Sequence, residues 1–305
     1  MSAALPAVGV TVVGEALVDI VRRVDGSTQE LPGGSPANVA LTLGRLGRGP
    51  RLLTRLGDDE RGRRVRAWLE ESDVEVLSCP ATRTSTALAR LDADGSAEYE
   101  FDLDWDLRGA EVPAAAVLHV GSIAAVLEPG GTTVLEAVRS ASGLVTYDPN
   151  VRPTITPDPD VVRPRVEEIV ASVGVVKVSD EDLAWLAPGT APEEMASRWS
   201  RSGPALVVMT AGGDGSVVLR DGVPVARVPV PSVTVVDTVG AGDTYMGGLI
   251  DGLLALGLDT AERIGAATDS DLGAVCGHAA RAAAVTVSRP GADPPRRGEL
   301  GLPRT

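Results

Sequence analysis

Short, mostly apolar runs recur at 8–13, 117–120, 144–147, 173–178, 206–209 and 233–236. Each has the length and character of a strand buried on both faces of a parallel sheet. Between most of them the period changes. The segments 39–46, 62–71, 132–140, 161–171, 192–200, 244–256 and 278–285 carry apolar or small residues at helical spacing. Strand alternating with helix predicts an α/β fold in three layers, α/β/α, with a mostly parallel sheet covered on both faces. Two stretches break that rhythm. At 15–31 and 87–107, short alternating strands flank Asp25-Gly26 and Asp94-Gly95, which are hairpin signals. Together they predict a small sheet lying over the main one. A further hairpin is expected from 216–220 and 225–228 around Asp221-Gly222. With no repeat and no low-complexity linker, the pattern predicts a single domain over 1–305, irregular from Gly291 onward.

Composition narrows the class of partner. The chain of 305 residues is 44% hydrophobic, enough for a full core. Its formal charge of −14 gives a surface that repels nucleic-acid phosphates and anionic lipid, so a small-molecule partner is expected rather than nucleic acid or a membrane. Cys79 and Cys276 lie far apart, and His119 and His278 lack metal-ligand spacing. Neither a disulfide framework nor a structural zinc is indicated. Residues 1–9 carry no basic segment before their apolar run, and nothing approaches the ~18 apolar residues of a membrane span. A cytoplasmic protein is the expectation.

The densest candidate chemistry is Asp237-Thr-Val-Gly-Ala-Gly-Asp243, which leaves the apolar run at 233–236 and enters the helical pattern from Thr244. Unpaired amides and the positive end of a helix dipole favour an anion there, so Gly240, Ala241 and Gly242 read as a cradle for a transferring phosphoryl group. Asp243, in the first turn, is placed to accept a proton from a substrate hydroxyl. An aspartate that only complements the helix dipole fits this segment equally well.

Other loops after strands carry polar groups. Gly33-Gly34-Ser-Pro-Ala-Asn38 opens a helix, and its two glycines and amide suit a polyol, although a helix cap accounts for them as well. Gly14-Glu-Ala-Leu-Val-Asp19 sets a carboxylate beyond the first strand, where open α/β sheets bind ligands, although a solvated residue on an edge strand competes with that role. Tyr147-Asp-Pro-Asn150-Val-Arg152 puts an amide and a guanidinium at the same sheet edge, although a surface arginine after a turn accounts for it as well. Thr210-Ala-Gly212-Gly213-Asp-Gly215 follows another strand and offers backbone amides to nucleotide phosphates. Lys177 is the only lysine, and it lies in Lys177-Val-Ser179-Asp-Glu-Asp182, not in a Walker A loop or a protein-kinase setting. The first strand is not followed by G-x-G-x-x-G, which argues against a dinucleotide-dependent dehydrogenase.

Gly33-Gly34-x-Pro36-x-Asn38-x-Ala40, with Gly47 and Gly57 beyond it, followed by Asp237-Thr-x-Gly-Ala-Gly-Asp243, resembles both signatures of the PfkB (ribokinase-like) carbohydrate kinases. The likeness runs from Gly14 to about Pro295 and includes Arg289-Pro-Gly-Ala-Asp-Pro-Pro, which is most similar to bacterial fructokinases. The resemblance implies Asp243 as the base and Gly240, Ala241 and Gly242 as the anion hole. It implies Asp19, Gly33, Gly34 and Asn38 as sugar ligands, and the hairpin pieces as a lid; Asn150 and Arg152, read from their own loop, join them as substrate-binding candidates, the guanidinium serving phosphate oxygens or the sugar. Tyr99 and Phe101 would then stack over the sugar or fill the lid's own core. The candidate ATP residues are Lys177, Ser179, Thr210, Gly212, Gly213 and Gly215. The family's Asn-x-x-Glu, linked to Mg2+, is matched only as Ser179-Asp-Glu-Asp182, which assigns Asp182 an indirect magnesium role. Asp237, with carbonyls near Val239 and Gly291, resembles a monovalent-cation loop that would take K+.

These expectations converge on an ATP-dependent sugar kinase acting on a primary hydroxyl, with fructose at its 6-hydroxyl first. Rivals in the class are 2-keto-3-deoxygluconate kinase, which would favour an arginine where Phe101 stands, and ribokinase. From another class, a catalytically silent sugar-binding regulator would have no need of Asp243. An exposed lid-sheet edge suits a homodimer.

Overall fold

The computed structural model describes residues 9–91 and 97–301. Its large sheet has nine strands in the order β13-β12-β11-β10-β9-β8-β1-β4-β5. They are β1 (Val10–Val13), β4 (Arg51–Gly57), β5 (Glu75–Ala81), β8 (Val117–Gly121), β9 (Leu144–Asp148), β10 (Val175–Ser179), β11 (Leu206–Thr210), β12 (Ser216–Arg220) and β13 (Val223–Val228). Pairing is parallel from β5 to β11, and β12 and β13 close one edge as the expected hairpin. The central strands are buried throughout, which explains their lack of alternation.

Two apolar clusters form, one on each face of this sheet. On one face lie side chains of α1 (Ser35–Arg45), α2 (Glu60–Glu70), α7 (Ala241–Ala255), α8 (Ala261–Ala266) and α9 (Asp269–Val287). On the other lie those of α3 (Gly130–Ser140), α4 (Pro159–Val170), α5 (Asp180–Leu186) and α6 (Pro192–Trp199). The three-layer α/β/α sandwich is therefore the observed architecture.

A second sheet, in the order β3-β2-β6-β7, contains β2 (Leu17–Arg22), β3 (Thr28–Gly33), β6 (Thr86–Leu91) and β7 (Ala97–Asp102). Val18, Ile20 and Leu88 anchor one of its faces in the core. Cross-strand register puts Asp19, Ala87 and Phe101 in one row on the opposite face. The expected turn at Asp94-Gly95 lies outside the described residues.

Three expectations need correction. The run 233–236 is no strand: it is irregular and its valines are exposed, Val233 and Val235 lining a cleft instead of joining the sheet. β4 and β5 were not anticipated; Arg51 and Arg55 interrupt the first, and the second is a polar edge strand containing Pro80. The helix expected at 278–285 is the last part of the longer α9, which begins at a capping box between Thr268 and Asp271.

Candidate active site

Strand order reverses around β1, which has β4 on one side and β8 on the other, and such switch points are where open α/β sheets bind ligands. Asp243 stands here, in the first turn of α7, buried but ringed by donors. Asn38 Nδ2 donates to its Oδ2 at 2.7 Å, and Ser35 Oγ donates to its Oδ1 at 2.7 Å. Asn150 Nδ2 donates to Ser35 Oγ at 2.7 Å and reaches Asp243 Oδ1 at 3.2 Å. Arg152 Nη1 in turn donates to Asn150 Oδ1 at 2.5 Å. Asn38 Oδ1 is buried without a partner, a free acceptor beside the carboxylate.

Asp19, on β2, lies within electrostatic reach of Arg152 and Asp243. The surrounding protein pushes its carboxyl up to about 6, Arg152 opposes the rise and Asp243 adds to it. Gly33 lies so close that a β-carbon there would overlap the Asp19 carboxylate. Gly34, at φ +106, packs its backbone on Glu15, so both glycines are required by their protein neighbours. Tyr99 and Phe101 stack with ring centroids 6.0 Å apart, and Tyr99 is 53% exposed.

On the other side of Asp243 a cleft of about 490 Å³ runs between the loop after β11 and the segment before α7. Thr210, Gly212, Gly213 and Gly215 form one wall, and Val233, Val235 and Thr238 another. Ala241 and Gly242 close its inner end at the amino terminus of α7, where unpaired N–H groups collect. Gly240 adopts φ +73, and a β-carbon on it would come within 2.6 Å of Ala292. A β-carbon on Gly242 would sit 3.0 Å from Lys177 Nζ, so that ammonium lies directly beneath the cradle. Lys177 is paired with Asp148 at 3.0 Å, both buried. Burial pushes the Asp148 carboxyl up to about 6 against the pull of Lys177, and the neighbouring carboxylates, Asp148 first, hold Lys177 protonated despite its burial.

Two expected site residues have clear local duties. Ser179 and Asp182 form a capping box at α5, and Asp182 also accepts from Val151 N at 3.1 Å. Asp237 accepts from the amides of Val239 at 3.0 Å and Gly291 at 2.8 Å, which hold its carboxyl below the usual range and join two loops. Among the described residues no group of three or more His, Cys, Asp or Glu side chains is arranged to hold a metal. Ser35, Asp148 and Glu15 went unassigned in the sequence reading, although each lies inside a segment singled out there.

Glu15 is 6% exposed, and burial raises its carboxyl from the ordinary 4.5 to about 7 against hydrogen bonds from Ser122 and the Ala124 amide. A raised folded value means that stability is full below about 4.5 and is lost as pH rises through 7. Glu15→Gln removes that loss. Its stability relative to wild type should grow by about 2–3 kcal/mol between pH 4.5 and pH 8 in urea unfolding, other titrations cancelling in the difference. A difference independent of pH would refute the assignment.

Residues 9–297 match the pfkB family carbohydrate kinases. The chain is 35% identical over 261 residues to the fructokinase of Klebsiella pneumoniae, covering 81% of this chain and 85% of that one. A crystal structure of a Vibrio cholerae fructokinase double mutant holding fructose, ADP and potassium superposes with a TM-score of 0.80 at 25% identity, covering 97% of this chain and 98% of that one. Aminoimidazole riboside kinase from Salmonella enterica shares the fold, with a TM-score of 0.79 at 24% identity over 96% of this chain and 98% of that one. With both signature motifs meeting at Asp243 and a family match over nearly its full length, the chain belongs to the pfkB family of carbohydrate kinases.

Proposed function

We infer that this sugar kinase transfers the γ-phosphoryl of ATP to the 6-hydroxyl of fructose. One observation carries the reading: a buried carboxylate, Asp243, stands between a polar cluster of Asn38, Ser35 and Asn150 and an apolar cleft ending at the amides of α7. The first suits a polyol and the second a nucleotide. Fructose is favoured because fructokinases are the similar sequences and because Phe101, not a cation, stands on the face of the small sheet that carries Asp19.

In this reading Asp19, Asn38, Asn150 and Arg152 hold sugar hydroxyls, while the backbone at Gly33 and Gly34 shapes the wall behind them. The small sheet acts as a lid whose Tyr99 and Phe101 cover the ring. The glycines at 212, 213 and 215, with Thr210, admit the nucleotide, and its base lies against the valines of 233–235. Gly240, Ala241 and Gly242 receive the transferring phosphoryl above Lys177. The bond from the sugar oxygen to phosphorus forms, the bond from phosphorus to ADP breaks, and the hydroxyl proton passes to Asp243.

Magnesium would neutralise charge on the phosphate oxygens. With its cap made, Asp182 keeps a lone pair on each oxygen for a water in that ion's shell, next to Ser179. Potassium would sit at the loops that Asp237 joins. Edge strands β3 and β7 leave backbone groups for a second subunit, so a homodimer in the cytoplasm completes the picture.

Coupled ADP release from Mg-ATP across fructose, 2-keto-3-deoxygluconate, ribose and no sugar, with and without potassium, tests the reading. Turnover preferring fructose supports it. A preference for the keto-acid would overturn the argument from Phe101, and binding without turnover would make the chain a silent sugar-binding regulator. Sizing the same preparation separates monomer from dimer.

A further inference from the structure

Ser35 is the first residue of α1, after the N-cap Gly34, and its hydroxyl bonds across the molecule to Asp243. Here the oxygen accepts from Asn150 Nδ2 and the proton points at Asp243 Oδ1, each at 2.7 Å. The residue is buried, so water does not compete for either bond. Beyond it the chain of donors continues: Arg152 Nη1 grips both Oδ1 and the carbonyl of Asn150. Asn150 itself is held at φ +37, a left-handed conformation in which the amide reaches both Ser35 and Asp243. In such a series each donor is polarised by the one behind it, and the last bond falls on a carboxylate.

The two carboxylate oxygens differ as a result. Oδ1 takes two donors, Ser35 and Asn150, which use both of its lone pairs. Oδ2 takes one, from Asn38, and keeps a lone pair. We propose that Ser35 is a positioning residue: through the Arg152–Asn150–Ser35 series it locks Asp243 with Oδ1 saturated, leaving Oδ2 as the atom that receives the sugar hydroxyl's proton. The inference rests on the reading of Asp243 as the base.

The test is steady-state kinetics of Ser35→Ala, Ser35→Thr, Asp243→Asn and Ser35→Ala/Asp243→Asn on the best sugar of the panel. Alanine is the most favourable helix residue, so α1 should survive, and thermal unfolding checks it. Ser35→Ala should lower kcat about 10- to 100-fold, the factor equivalent to one charge-assisted hydrogen bond, with KM for sugar and for ATP within about twofold. Ser35→Thr, which keeps the hydroxyl, should recover most of kcat. In the Asp243→Asn background the alanine should have no further effect, because the group it positions is gone. Wild-type kcat in Ser35→Ala, an equal rise in KM, or a full additional loss in the double variant would overturn the proposal. If Asp243→Asn itself kept wild-type turnover, the base assignment would fall instead, so the two failures are distinguishable.

Discussion

Asp243→Asn is expected to lose turnover by a factor of about 10²–10⁴ while the protein still binds sugar. The carboxylate supplies a proton acceptor that an amide does not, and general-base catalysis is worth about that factor. Asparagine is the informative substitution because the surroundings can absorb it. Ser35 and Asn150 keep an acceptor in the side-chain oxygen, and Asn38, whose Oδ1 is unpartnered, can rotate its amide to accept from the new NH2. Asp243→Ala would instead strand three donors in a buried site and mix a loss of chemistry with a loss of stability. ADP release reads the first effect, and titration calorimetry with sugar reads binding. Turnover near wild type in Asp243→Asn would remove the base from the mechanism.

Lys177→Met is expected to destabilise the protein by about 3–5 kcal/mol, the usual cost of stripping a buried ion of its partner. Asp148 is 0% exposed at its side chain, its Oδ2 takes the ammonium at 3.0 Å, and its Oδ1 has no partner. Burial already raises the Asp148 carboxyl, so without the lysine the group would take a proton or remain an uncompensated anion. Asp148→Asn/Lys177→Met removes both charges and should recover most of the loss in urea unfolding, because an ion pair of this kind contributes little net stability. Activity should not follow stability. The ammonium lies beneath Gly242, so the double variant should stay slow for want of a positive charge under the phosphoryl cradle. Recovery of both together would assign Lys177 to stability alone, and an intact stability in Lys177→Met would refute the buried-pair argument.

The strands with mostly apolar runs were legible because burial on both faces leaves no regular polar alternation to disguise them. The same rule misread 233–236, since valines lining a cleft look like valines filling a sheet. It passed over β4 and β5, where Arg55 reaches Asp104 and the carbonyl of Asp106, and Pro80 marks an edge. Local chemistry had one signal that went unused: Ser179-x-x-Asp182 is a capping-box spacing and foretells α5.

By itself, then, the amino-acid order determined the periodicities that make a parallel α/β sandwich and the small polar motifs that follow its strands, because both depend on neighbours within a few residues. Tertiary structure alone decided which of those motifs meet. Ser35 and Asp243 are 208 positions apart, and Asn150 lies 93 from Asp243. Their convergence, the burial that raises Glu15 and Asp148, and the lysine under the cradle all follow from strand order. Parallel strands deliver their carboxyl ends to one edge, so residues remote in the chain share one low-dielectric space, and their charges are set there by one another rather than by their local sequence.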